Sequence, residues 1–202
     1  MNLPTSPSVF RNRNPILEIL KEYIHDDTTL LEIGSGTGEH AVYLAPYFPK
    51  TFWVTSDVKG NHRTIIERLK IHKLKNISGP ETLQIGHDDF PKKRFDYVFT
   101  ANTLHIMSWK ENKTLFKLLG KRLREGALVL IYGPFNYNGD FTSASNKEFD
   151  SHLRERNPKS GIRSFEDIKS SLEKFGFKFL MDHQMPANNR LLVFERLKYS
   201  AK

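Results

Sequence analysis

The chain has 202 residues, with 31 Lys and Arg against 23 Asp and Glu, eight His and no Cys, for a formal net charge of +8. That length suits one domain, which buries roughly 70% of its unfolded surface without staples, and the missing Cys excludes disulfides, thiolate zinc clusters and thiol nucleophiles. No stretch nears the ~20 apolar residues of a membrane span, and the polar, Pro-broken start reads as neither signal peptide nor transit helix, so a cytoplasmic protein with no membrane partner is expected.

In chain order, Ile16, Leu17, Ile19, Leu20, Tyr23 and Ile24 keep helical spacing behind Pro15, a favourable first-turn residue. Residues 28–33 read as a strand, followed by the turn Gly34-Ser35-Gly36-Thr37-Gly38 and a helix to about residue 45. A second strand over 51–55 ends at Asp57, and a basic helical stretch over 61–72 carries Arg63, Arg68 and Lys70 on what reads as a solvated face. Strands are expected near 82–85, 95–100 and 127–132, with a helix over 108–119 between the last two. The segment 133–145 is a long loop whose Phe135, Tyr137 and Phe141 argue for order. Helices over 146–156 and from Ser164 follow, the second with Glu166 and Asp167 in its first turn. Strands over 177–181 and 191–194 close the pattern, with no helix between them, and so pair antiparallel at one edge. The alternation predicts an α/β fold in which about seven strands form a mostly parallel, Rossmann-like sheet with helices on both faces. A single domain over 1–202 is expected, divided into an N-terminal lid and helix (1–27), a cofactor-binding core (28–132) and substrate-side loops, helices and last strands (133–202).

In an open α/β sheet the ligand lies beyond the carboxyl ends of the strands. The first strand ends in Leu31-Glu32-Ile33-Gly34-Ser35-Gly36-Thr37-Gly38 and is followed at once by Glu39. Glycines let the chain turn sharply and expose bare amides to a ligand. Dinucleotide sites use G-x-G-x-x-G with a pyrophosphate on the helix N-terminus. Here the spacing is G-x-G-x-G, and two carboxylates beside it would repel a pyrophosphate and suit a cationic ligand.

The pattern E-x-G-x-G-x-G resembles motif I of class I S-adenosylmethionine-dependent methyltransferases. The resemblance implies that Glu32 faces the methionine ammonium and that Gly34, Ser35, Gly36 and Gly38 pack on the cofactor. It also implies that Asp57, 19 residues past Gly38, accepts hydrogen bonds from both ribose hydroxyls. A narrower likeness extends over nearly the whole chain. Arg11-Asn12 with Pro15-Ile16-Leu17, Gly38-Glu39-His40-Ala41, Ser56-Asp57, Ala101-Asn102 with His105, and Tyr132-Gly133-Pro134 belong to it. So do Ser145-Asn146, Phe149-Asp150, Leu153-Arg154 with Arg156, Gly161 with Arg163, and Met185-Pro186-Ala187-Asn188-Asn189. These resemble the methyltransferase-like 26 group, also catalogued as domain of unknown function family 938. That group usually has Asp in the third strand, near the adenine amino group; this chain has Gln84, with Asp88 as the alternative. Asn102, after the fourth strand, joins the cofactor set, without the Pro-Pro-aromatic sequence of DNA adenine methylation.

His40 either closes over the cofactor or caps its helix. His105 is the candidate general base, with a second role, orienting its loop, left open. Tyr132, Asn146, Asp150, Arg154, Asn188 and Asn189 form the candidate acceptor side, with Arg11 and Asn12 in a polar lid around residues 10–14 whose removal should leave stability nearly unchanged. The expected reaction is methyl transfer from S-adenosylmethionine to an unidentified small molecule or macromolecule, leaving S-adenosylhomocysteine and using no metal. The rival readings are a nicotinamide-dependent oxidoreductase and a non-catalytic module that binds the cofactor or RNA. RNA would give a steep salt dependence.

Overall fold

The computed structural model describes residues 3–198. Seven strands form one sheet in the spatial order 77–82, 51–57, 28–33, 97–101, 128–133, 189–196 and 177–185, a mostly parallel sheet in which the last strand in sequence runs antiparallel to its neighbours. The chain divides into two compact units, residues 1–100 and 101–202.

The first unit holds α1 (Pro7–Tyr23), β1 (Thr28–Ile33), α2 (Glu39–Leu44), β2 (Thr51–Asp57), α3 (His62–His72), β3 (Ile77–Thr82) and most of β4 (Tyr97–Ala101). β1 pairs in parallel with β2 and β4, and its last four residues are all buried, as expected of a strand covered on both faces. α1 begins eight residues earlier than the periodicity suggests: Pro7 takes its first turn and Pro15 sits inside it. The interior proline removes only the N–H that would reach the carbonyl of Arg11, an exposed residue where water serves instead. The polar stretch read as a lid is therefore helical, with Val9 and Asn12 buried.

The third strand also lies earlier than expected. β3 contains Gly79 and Pro80, punctuation that hides a strand, but it is an edge strand, where a proline is tolerated. A Cβ at Gly79 would stand 2.5 Å from the Thr55 carbonyl, so close approach to β2 requires glycine. Residues 83–88 instead form a turn in which the amides of His87 and Asp88 donate to the Gln84 carbonyl. Leu83 and Ile85 are buried from that turn, and their alternation imitated a strand. Arg68 likewise leaves the solvated face: its Nε donates to Thr37 O and its Nη2 to Pro4 O, each at 2.7 Å.

The second unit holds α4 (Trp109–Arg122), β5 (Leu128–Gly133), β6 (Phe135–Asn136), α5 (Ala144–Arg156), β7 (Arg163–Ser164), α6 (Phe165–Lys174), β8 (Phe177–Met185) and β9 (Asn189–Arg196). β9 runs antiparallel to both β5 and β8. Pro186, Ala187 and Asn188 connect β8 to β9, and Ala187 and Asn188, both left-handed, take the two central positions of the turn closed from Asn189 N to Pro186 O. Ser108, Ser143 and Ser164 cap α4, α5 and α6, the first in a reciprocal box with Glu111. The aromatic loop is ordered: β6 pairs with β7, and Tyr137 stacks on Phe165 while donating its hydroxyl to Asp182. Among the described residues no helix is long and apolar enough to cross a membrane.

Candidate functional site

In the first unit the glycine turn is pinned to the end of β2. Gly34 and Ser35 both donate their amides to Ser56 O at 3.0 Å, and Gly38 donates to Ser35 O at 2.8 Å. Gly34, Gly36 and Gly38 all have positive φ. A Cβ on Gly36 would meet nothing within 4 Å, so the turn is open on its Cα side while its amide is turned towards Asp57. That amide donates to Asp57 Oδ2 at 2.6 Å, while Val58 N and Asn61 Nδ2 donate to Oδ1 at 2.7 and 2.9 Å. Three donors therefore fix the Asp57 carboxylate at the strand end and leave about one of its four lone-pair sites, on Oδ2, for an outside donor.

Glu32 is buried one turn of the pleat before the first glycine. Trp53 Nε1 donates to its Oε2 at 3.0 Å, yet burial pushes its carboxyl up to about 7, helped by the charge of Asp57 and opposed by hydrogen bonds from Trp53 and Ser35. A buried carboxyl this reluctant to ionise is relieved by a cation, which suits an ammonium beside the turn. Together with the open face at Gly36 and the fixed acceptor at Asp57, these residues fit S-adenosylmethionine.

Glu39 is tied down by the amide of Ser6 and the hydroxyl of Thr37, both at 2.8 Å. His40 shares a 2.8 Å hydrogen bond through Nε2 with Asn12 and meets Phe99 edge-on; burial lowers its pKa to about 4, so it is neutral. Arg11 is exposed on the same helix. Gln84 is exposed in its turn and donates its amide to Asp88 Oδ2 at 2.7 Å, so Asp88 braces the residue for which it was the alternative.

In the second unit, Asn102 adopts a left-handed backbone and donates its amide to Tyr132 O at 2.9 Å. Gly133 lies against both Asn102 and His105, since a Cβ there would stand 3.9 Å from Asn102 Oδ1 and 3.8 Å from His105 Nδ1. His105 is buried and packs edge-on against Phe149; burial, then the charge of Arg163, lowers its pKa to about 4. The remaining acceptor-side residues hold the protein together. Asn146 Nδ2 donates to Thr142 Oγ1 and to Asn188 O, and Asn189 Nδ2 donates to the carbonyls of Pro186 and Ala187 within the hairpin turn. Asp150 accepts from Arg154 Nε at 2.6 Å and from the Ile162 amide at 2.6 Å.

Trp53, Asn61, Arg68 and Arg163 take part without having been singled out for these roles. Trp53 reaches Glu32 because Leu30 faces Trp53 across β1 and β2, a register no single strand reveals. Asn61 could have been found as an amide four residues beyond Asp57 at a helix entrance. Among the described residues no group of three or more His, Asp or Glu is spaced to hold a metal ion.

Solved structures share this fold at low sequence identity. The S-adenosylmethionine-dependent methyltransferase SibL, in its apo form, matches with a TM-score of 0.79 and 21% identity, over 95% of this chain and 56% of that one. An O-methyltransferase family 2 protein from Planctomyces limnophilus DSM 3776, in complex with apigenin, matches with a TM-score of 0.81 and 16% identity over 94% and 58%. The mitomycin 7-O-methyltransferase MmcR matches with a TM-score of 0.78 and 16% identity over 91% and 53%. The chain thus spans little more than half the length of these proteins, and the likeness establishes the class I methyltransferase fold. A family model covers residues 3–196, and by that match the chain belongs to the family described as protein of unknown function DUF938.

Proposed function

We propose that the protein is an S-adenosylmethionine-dependent methyltransferase of the methyltransferase-like 26 group, acting on an acceptor whose identity is open. The observation that carries the reading is the triply held Asp57 carboxylate beside the open side of the glycine turn at Gly36, with the buried Glu32 two residues before the turn. When bound, S-adenosylmethionine supplies a methyl group on a sulfonium that is already a good leaving group, and S-adenosylhomocysteine remains. Asp57 accepts from the ribose diol, Glu32 pairs with the ammonium, and Gly34, Ser35, Gly36 and Gly38 form the bed. The exposed side chain of Gln84 serves the adenine edge, its backbone amide held by Asp88.

On the acceptor side, the work of the protein is alignment, which removes much of the barrier by proximity alone. Asn102 and His105 line the exit of β4. His105 would be the group that takes the proton given up by an oxygen or nitrogen acceptor; it is neutral at physiological pH, and its burial makes it a weak base. Two of the named neighbours, one in complex with apigenin and one a mitomycin 7-O-methyltransferase, support a small-molecule acceptor. A pyrophosphate beside Glu32 and Glu39 would oppose ionisation of Glu32 where an ammonium favours it, which disfavours a nicotinamide cofactor. Titration calorimetry tests the reading: S-adenosylhomocysteine is expected to bind and NAD is not. Tight binding of NAD alone would overturn it.

A further inference from the structure

The motifs Phe149-Asp150, Leu153-Arg154, Gly161 and Arg163 find no place in cofactor binding, yet they converge on one segment. After β4, the carbonyls of four consecutive residues are each held by a donor. Arg163 Nε donates to Leu104 O at 3.2 Å, the Gly161 amide to His105 O at 2.9 Å, Ser160 Oγ to Ile106 O at 2.7 Å, and Arg163 Nη2 to Met107 O. The strap that supplies these donors is anchored by Asp150, which is buried and accepts the Ile162 amide at 2.6 Å while paired with Arg154. Gly161 is obligatory: φ is +144°, and a Cβ would stand 2.5 Å from Arg154 Nη2 and 2.9 Å from Asp150 Oδ1. Phe149, the neighbour of Asp150 in sequence, packs against the His105 ring. Backbone clamped at four successive carbonyls, with the ring wedged beside it, fixes a side chain far better than one contact does.

We infer that Asp150 and Arg163 are positioning residues that hold the His105 imidazole in its buried place, acting through the 160–163 strap. The inference rests on the proposed role of His105, but its test does not depend on methyl transfer. The charged groups around the clamp are Asp150, Arg154, Arg163 and Glu111.

The experiment is NMR titration of the His105 imidazole in the full chain, wild type against Asp150→Ala. Removing a negative charge alone would lower the midpoint. Release of the ring into water would raise it, from about 4 towards the ordinary 6.5. A rise of more than one pH unit, in a variant with wild-type circular dichroism, is expected, with Asp150→Asn falling between because its amide oxygen still accepts from Ile162. A midpoint that stays put or falls overturns the inference. Should Asp150→Ala not fold, hydrogen exchange in the wild type decides: the amides of Gly161 and Ile162 are expected to exchange at least a hundredfold slower than in an open loop, and protection under tenfold overturns the clamp. Failure of the methyltransferase reading would show separately, as absent binding of S-adenosylhomocysteine to the wild type.

Discussion

Glu32 carries a conflict between folding and binding. Its folded carboxyl titrates at about 7 against an ordinary 4.5, so the folded state holds the proton more tightly than the unfolded chain. Its contribution to stability is therefore fully present below pH 4.5, declines as pH rises towards 7 and stays lost above it. At about 1.4 kcal/mol per pH unit the loss is roughly 3 kcal/mol. Urea denaturation should show Glu32→Gln gaining stability over wild type at pH 8 and little at pH 5. The same substitution should weaken S-adenosylhomocysteine binding, more at low salt, because part of the lost attraction is ionic. An ammonium brought beside Glu32 favours its ionised form, so binding near neutral pH should release a proton, which calorimetry in buffers of different ionisation enthalpy detects. Asp57→Ala should weaken the same ligand by about 1.5–3 kcal/mol, the range for hydrogen bonds to a charged group. Unchanged affinity in a folded variant would put the ribose elsewhere.

Among the elements, α1 departs furthest from what its residues suggested. Val9 is buried, Asn12 bonds His40, the Ser6 amide bonds Glu39 and the Pro4 carbonyl receives Arg68. A chain starting at Pro15 should therefore lose about 3 kcal/mol and melt roughly 6–12 °C lower, in contrast to the lid expectation. Melting at the wild-type temperature would show the first two turns to be a movable appendage after all. Gly120 reverses another habit. Alanine in a helix is ordinarily better than glycine by about 1 kcal/mol, but a Cβ here would stand 2.6 Å from Phe175 O and 2.8 Å from its Cβ. Gly120→Ala should destabilise by about 1–3 kcal/mol in denaturant titration; a gain would mean that the turn after α6 yields. The strands, the capped helices and the glycine turn were legible because periodicity, serine caps and a spaced motif are local. β3 was misplaced because Gly79 and Pro80 conceal an edge strand while Leu83 and Ile85 imitate one. That Glu32 and Asp57 stand beside the glycine turn was readable from spacing. The tasks of Asp150, Arg154 and Asn146 were not, because polar residues in loops look alike until their partners are known.

For the molecule as a whole, the cofactor reading has a thermal signature. A ligand that binds only the folded state at a hundred times its Kd adds about 2.7 kcal/mol, which should raise Tm by roughly 5–10 °C with S-adenosylhomocysteine and leave it unmoved with NAD. The position of β9 bears on how the chain is made. β9 is the last strand among the described residues, yet it lies in the interior of its half of the sheet, with β5 on one side and β8 on the other. During synthesis β5 and β8 both leave the ribosome before the strand that joins them. Until residues 189–196 emerge, each of the two waits with an unpaired edge, an invitation to chaperones or to other nascent chains. Truncation before Asn189 would remove a keystone from between β5 and β8 rather than trim a border.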